Sequence, residues 1–423
     1  MSDGIEVAPI GPLNATIRPP GSKSMTNRAL ICAALADGES RLTGALKSED
    51  TGVMVMALQS LGLTVDHDLA TQTIRVVGSA GSLPNVRADL DVENSGTTIR
   101  FLTAMLSACR GEFRLDGIAR MRERPIGDLL DTLRQLGGGA VSATDNGYPP
   151  VRIAGEGLHG GEATIRGDIS SQFLSGVLMA APYAEQSVTI KVDGELVSKP
   201  YVTMTLGVMS SFGIHVDEGD LARFTIPTGR YRGTDYAIEP DASAASYFWG
   251  AAAVTGGTIT VEGLNRDALQ GDVKFCDCLE QMGCEVDWAS DRVTVRGGKL
   301  CGIEVDMNAI SDTVQTLAVV ALYAKGPTTI TGVAHIRHKE TDRIGDLAHE
   351  LRKLGADVEE SADGLRITPN ELRSAEIDTY NDHRMAMSFA LAGLRVPGVV
   401  IRDPGCTRKT YPNFFQDLAQ LKE

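Results

Sequence analysis

The chain is short of the features that would place it in several large functional classes. Its seven cysteines, Cys32, Cys109, Cys276, Cys278, Cys284, Cys301 and Cys406, are odd in number and include no CxxC pair. That pattern argues against a disulfide framework or a zinc site and for reduced, mostly buried thiols. His335 and His338 lack a matching second pair of ligands, so no metal is expected. No apolar run approaches the ~18 residues needed to cross a bilayer, and the opening MSDGIEVAPIG has neither the basic segment nor the apolar core of a secretory signal. A cytoplasmic location away from membranes is expected. A formal net charge of −15 disfavours bulk nucleic-acid binding. Nucleotide signatures are missing too: GSKS at 21–24 lacks the GxxxxGK[ST] spacing, and no GxGxxG follows a strand-like segment. Any anion site must therefore be local and of another kind.

What the sequence does contain is a repeat. PPGSKSMTNRALICAAL, at 19–35, sets Ser22, Lys23, Ser24, Thr26, Asn27 and Arg28 directly before an apolar helix. The pattern recurs from Asn94 (NSGTTIRFLTAML), Asp168 (DISSQFLSGVLMA), Asp241 (DASAASYFWGAAA), Ser311 (SDTVQTLAVVALY) and Asn381 (NDHRMAMSFALAG). Equivalent positions Ser24, Gly96, Ser170, Ala242, Asp312 and Asp382 are spaced by 72, 74, 72, 70 and 70 residues. Six copies account for almost all 423 residues. Each copy reads as polar caps, about three turns of small and apolar residues, a break, then a strand. Helices apolar nearly all round should be buried.

A second signature lies between these: LQSLGLTV, LRQLGGGAV, MSSFGIHV, LEQMGCEV and LRKLGADV. Each predicts an amphipathic helix stopped by a left-handed Gly and followed by a strand. The sixth such helix, FFQDLAQLKE, has no strand after it. The segment Ile5 to Ile17 is expected to supply the missing one and close the ring of units. Three units per domain then place one domain at 21–240 and the other at 1–20 plus 241–423. The crossings fall at PPGSKS and at Glu239-Pro240-Asp241, both rich in Pro and polar residues as hinges often are. The fold class is α/β (α+β).

Helix N-termini with cations beside them suit phosphate or carboxylate. Lys23, Arg28, Arg100 and Arg384 stand at repeat starts, and further cations gather in RMRERP (Arg120, Arg122, Arg124), RHKETDR (Arg337, Lys339, Arg343) and TRKTYP (Arg408, Lys409). Ser, Thr, Asp and Asn at such places also serve as plain caps. In an acidic chain, however, clustered bases point to a small ligand with more than one acidic group. Asp312 at a buried helix start, and Glu340 between Lys339 and Arg343, can transfer protons or simply neutralise their neighbours.

At these residues the chain closely resembles the 5-enolpyruvylshikimate-3-phosphate synthase (3-phosphoshikimate 1-carboxyvinyltransferase) family. PGSKSMTNRAL, NSGTTIRF, RMRERPIGDL, GDISSQFLSG, SKPYVTMTL, SDTVQTLA, HKETDRI, YNDHRMAM and CTRKTYP match its signatures in order across essentially the full length. The resemblance implies a two-domain inside-out α/β barrel of six βαβαββ-type units, three per domain, with buried helices pointing their N-termini into a cleft. It implies joining shikimate 3-phosphate to phosphoenolpyruvate with release of phosphate, no cofactor, and a monomer. By the same resemblance, Lys23, Ser24, Arg28, Ser170, Ser171, Gln172, Ser198, Tyr201, Asp312 and Lys339 bind shikimate 3-phosphate. Lys23, Gly96, Arg124, Gln172, Arg343, Arg384 and Lys409 hold phosphoenolpyruvate. Asp312 accepts the hydroxyl proton, Glu340 moves a proton at the methylene, and Lys23 assists. For Gly96 the physical reason is close backbone approach to the ligand.

Three positions depart from the family pattern. His335 and Ile336 stand where many members have Asn and Trp, so substrate contact by His335 is not carried over. Phe101 replaces a Pro common after the NxGTxxR motif. Two alternatives stay open. A UDP-N-acetylglucosamine enolpyruvyl transferase typically has a Cys in the loop matching RMRERPIG and an Asn after the first Lys, where this chain has neither. A non-catalytic phosphometabolite-binding protein would gain nothing from Asp312 and Glu340.

Overall fold

Polar caps followed by apolar runs produce the expected buried helices. In the computed structural model, which describes residues 4–421, twelve α-helices alternate in kind. One series comprises α1 (Lys23–Leu35), α3 (Gly96–Ser107), α5 (Ser171–Ala180), α7 (Ala242–Thr255), α9 (Val314–Ala321) and α11 (His383–Gly393). The other comprises α2 (Glu49–Ser60), α4 (Gly127–Gln135), α6 (Lys199–Ser211), α8 (Phe275–Gln281), α10 (Gly345–Lys353) and α12 (Phe414–Gln420). Every residue of α3, α7, α9 and α11 is buried, as is every residue of α5 except Gln172. Five of the second series end at Gly62, Gly137, Gly213, Gly283 and Gly355, all with φ between 85 and 107°. A side chain with Cβ rarely adopts that conformation, so Gly terminates these helices cheaply.

The strands form six mixed sheets, each with one parallel and at least one antiparallel pairing. Strand Val151–Glu156 shows the logic: its residues alternate buried and exposed, one face on the helices and one in water. After Gly213 the expected strand does not form. The charged stretch His215–Arg223 gives only an isolated bridge between Asp217 and Thr225, leaving that sheet with three strands.

Two compact units emerge, residues 21–238 and residues 1–20 with 239–423. The second crossing thus lies between Ile238 and Glu239, two residues before the boundary read from the sequence. Residues 1–3 and 422–423 of that domain lie outside the described residues. The N-terminal segment supplies two strands where one was expected. Gly4–Glu6 pairs antiparallel with Val400–Arg402, and Asn14–Ile17 pairs parallel with Thr258–Glu262. Reciprocally, Asp235–Ala237, just before the crossing, pairs parallel with Glu39–Thr43. Each unit is therefore closed by a strand from the far end of its own stretch of chain.

In residues 239–423 the helices α7, α9 and α11 pack together, joined inside their apolar surfaces by hydroxyls: Ser246 meets Thr316 at 3.0 Å and Thr316 meets Ser388 at 3.3 Å. Six of the seven cysteines are buried, and all seven are free thiols. Burial pushes the thiols of Cys32, Cys109 and Cys278 up to about 12, making them poor nucleophiles.

Candidate active site

Within residues 21–238 the predicted residues gather at the starts of α1, α3, α5 and α6. Ser22 caps α1 by accepting from the Met25 amide at 3.4 Å. One turn on, Arg28 is wholly buried and donates to Thr205 Oγ1 (2.7 Å), the Ser24 carbonyl (2.9 Å), Ser175 Oγ (3.3 Å) and the Tyr201 carbonyl (3.2 Å). Its guanidinium lies over the Phe101 ring, 5.2 Å from the centroid. Burial among neutral groups lowers its pKa to about 10, so it stays charged at neutral pH. Arg28 therefore ties α1 to α6 besides being a candidate anion contact, and Tyr201 joins it through backbone. Lys23 lies 3.9 Å from the buried Asp50 carboxylate, which also accepts from Asn27 Nδ2 at 3.2 Å.

Ser170 caps α5, accepting from the Gln172 amide at 3.3 Å, and Ser171 is buried beside it. The Gln172 carboxamide accepts from Arg100 at 2.5 Å and donates to Thr97 Oγ1 at 3.4 Å. Ser198, buried before α6, takes a left-handed backbone at φ 53° and does not cap with its side chain. At the start of α3, the space above Gly96 is taken by a side chain. A Cβ there would lie 2.7 Å from Arg124 Cζ and 3.0 Å from Nη1, so it is the Arg124 guanidinium that occupies the space. Arg124, buried, also donates to the Asn94 carbonyl (3.1 Å) and Oδ1 (3.3 Å). Asn94 was not singled out as a site residue, though it opens the NSGTTIRF motif.

In the other unit the predicted acids and bases form one chain of ion pairs. Lys409 Nζ contacts Glu340 at 2.9 Å, Glu340 contacts Arg343 at 2.9 Å, Arg343 contacts Asp312 at 3.2 Å and Arg384 contacts Asp312 at 2.6 Å. Arg343 also donates twice to Asp382, from Nε at 2.7 Å and from Nη2 at 3.1 Å. Burial alone would lower the pKa of Arg343, but Asp382, Glu340 and Asp312 together raise it above its ordinary value. Attraction at ~3 Å is roughly 5 kcal/mol per pair at an effective dielectric of ~20, before desolvation. Three carboxylates against Arg343, Arg384 and Lys409 leave the cluster formally neutral.

Asp312 does not cap a helix as its repeat position suggested. It sits in the turn Asn308–Thr313 before α9, whose start has no side-chain cap, and its carboxylate turns to the two arginines. Asp382 does cap, accepting from the Arg384 amide at 2.8 Å. Like Asn94, it is a residue that sequence reasoning passes over: its repeat position is visible, its bidentate grip on Arg343 is not. Lys339 ends the turn Ala334–His338, beside the cluster in sequence. His335 is buried, and desolvation, aided by Lys339, lowers its pKa to about 4, so the ring is neutral at pH 7.

Convergent cations with three carboxylates among them in one unit, and helix starts with Lys23, Arg28 and Arg124 in the other, each suit an anionic ligand. Residues 7–418 match the family model described as EPSP synthase (3-phosphoshikimate 1-carboxyvinyltransferase). The chain belongs to this family. Among curated EPSP synthase relatives, the 3-phosphoshikimate 1-carboxyvinyltransferase of Nostoc punctiforme is 48% identical over 425 residues, covering 100% of both chains. That of Vibrio atlanticus is 48% identical and covers 99% of each. A solved EPSP synthase from Acinetobacter baumannii superposes with a TM-score of 0.82 at 26% identity, over 98% of this chain and 97% of that one. The mixed α/β architecture with several mixed sheets is the one this family's structures share.

Proposed function

We propose that the protein transfers the enolpyruvyl group of phosphoenolpyruvate to the 5-hydroxyl of shikimate 3-phosphate, as the names of its relatives indicate. The observation that carries this reading is the chain of ion pairs in which Asp312 and Glu340 alternate with Arg384, Arg343 and Lys409. A pure anion binder would be weakened by those carboxylates; a proton-transferring site requires them.

The architecture is proposed to be the inside-out α/β barrel of six units, supported by the six sheets and the alternating helix series. Residues 21–238 bind mainly shikimate 3-phosphate through Lys23, Ser24, Arg28, Ser170, Ser171, Gln172, Ser198 and Tyr201. Residues 1–20 and 239–423 contribute Asp312, Lys339, Arg343, Arg384 and Lys409, while Gly96, Arg124, Gln172 and Lys23 complete the grip on phosphoenolpyruvate. A cytoplasmic location is part of the same proposal, supported by the free thiols, and so is a monomeric state.

In the addition step Asp312 takes the proton of the 5-hydroxyl as its oxygen bonds to C2 of phosphoenolpyruvate. Protonated Glu340 delivers a proton to the methylene carbon, giving a tetrahedral adduct with a methyl group. In the elimination step Glu340, now a carboxylate, takes a methyl proton back as the C2–O bond to phosphate breaks and the proton held by Asp312 passes to the departing phosphate, giving the enol ether and returning both acids to their starting states. Substrate phosphate and carboxylate would draw Lys409 and Arg343 away from Glu340, and loss of those cations raises its affinity for a proton.

The test is release of phosphate from phosphoenolpyruvate, dependent on shikimate 3-phosphate. Tight binding of both compounds without release would overturn the reading. The steric relation at Gly96 gives a second check. Gly96→Ala should push the Arg124 guanidinium off its seat and raise the KM for phosphoenolpyruvate by about tenfold or more, equivalent to roughly 1.4 kcal/mol. The KM for shikimate 3-phosphate should change less than threefold. Steady-state kinetics with each substrate varied in turn separate the two.

A further inference from the structure

Asp382 positions Arg343, but the turn that carries Asp382 is itself in an unfavourable conformation. Tyr380 and Asn381, immediately before it, both have left-handed backbones, at φ 54° and 53°. Asn tolerates that region; Tyr rarely enters it. Two such residues in succession persist only where surroundings over-determine them.

The surroundings converge on one carboxylate. Glu350, on α10, is fully buried. Its Oε1 accepts from the Tyr380 hydroxyl at 2.7 Å, and its Oε2 accepts from the Asp378 amide at 3.1 Å. Lys353, one turn along the same helix, lies 2.8 Å from Oε2 and 2.7 Å from the Asp378 carboxylate. A carboxylate removed from water is stable only with such partners, and three of the four contacts fix residues 378–380. Beyond them Asp382 donates its amide to the Thr379 carbonyl at 2.8 Å and reaches Arg343 and the start of α11.

We infer that Glu350 and Tyr380 form a clamp that holds the 379–382 turn in its left-handed path and thereby aims Asp382 at Arg343. They are positioning residues, at the opposite end of the turn from the cations. The link to substrate rests on the reading that Arg343 grips phosphoenolpyruvate; the link to the turn does not.

Tyr380→Phe is the cleanest probe, because it deletes one hydroxyl from a ring that is 37% exposed and so leaves packing intact. The clamp predicts at least tenfold faster hydrogen exchange at amides 379–386, with α10 unchanged. It also predicts a KM for phosphoenolpyruvate raised about fivefold, with the KM for shikimate 3-phosphate within twofold of the parent. Glu350→Gln should reproduce the pattern, and combining Tyr380→Phe with Asp382→Asn should cost less than the product of the single effects. Unchanged exchange in the turn, or protection lost evenly across the unit, would overturn the clamp. So would faster exchange in the turn with both KM values unmoved, provided the parent releases phosphate. Were the parent to release none, the exchange experiment would still decide on the clamp while the functional reading fell separately.

Discussion

Glu340→Gln is expected to lower shikimate 3-phosphate-dependent phosphate release by about 10²–10⁴-fold, the range for removing a positioned acid–base group. The variant keeps shape and one acceptor oxygen, so Lys409 and Arg343, each 2.9 Å from the carboxylate in the parent, keep a hydrogen-bonding neighbour. Ground-state binding should therefore survive or tighten, since two cations lose a competing internal anion. The discriminating measurement pairs kcat with the dissociation constant of phosphoenolpyruvate. A fall in kcat with unchanged or stronger binding identifies proton transfer. Equal loss of affinity and rate would mean that Glu340 only arranges the cations.

The second large effect is on stability. Arg343 contacts all three carboxylates, Asp312, Glu340 and Asp382, and its side chain is 2% exposed. Arg343→Met should leave Asp382, itself fully buried, without its ionic partner and should cost about 3–5 kcal/mol, the range for breaking a buried pair from one side. For a unit of roughly 200 residues that corresponds to a Tm lowered by about 6–20 °C. Arg343→Met combined with Asp382→Leu should recover part of the loss, because the orphaned charge has gone. Differential scanning calorimetry on the parent, the single and the double variants measures both. A single variant within 2 °C of the parent would show that the carboxylates find other partners.

Much of this arrangement is legible in the chain because it depends on local patterns. Buried helices announce themselves by small and apolar residues after a polar start, and the Gly that ends five of the six helices of the second series is visible as a fixed motif. The charged stretches RHKETDR and TRKTYP mark the cations that meet around Glu340. What local pattern cannot carry is the pairing of residues far apart in sequence. Arg343 and Asp382 are separated by 39 positions, and Arg384 and Asp312 by 72. The second contact depends on how α9 and α11 pack, the first on where the loop before α10 meets the start of α11. The same holds for Gly96: its motif is plain, but the group filling the space above it comes from Arg124 in another loop. Asp312 misled in the opposite direction, since its repeat position implies a cap and the turn before α9 instead frees its carboxylate for two arginines.

The strand Asn14–Ile17 is made long before its partner Thr258–Glu262. On a ribosome adding ~5–20 residues per second, the interval is roughly 12–50 s. During that time residues 21–238 already hold all strands of their own three sheets. Biosynthesis therefore has a built-in order: the inner stretch is able to complete itself first, while the first strands made wait, unpaired, for residues 258–262 and 400–402. A stalled or truncated product ending before residue 258 would carry that waiting edge exposed, the kind of edge that recruits other chains.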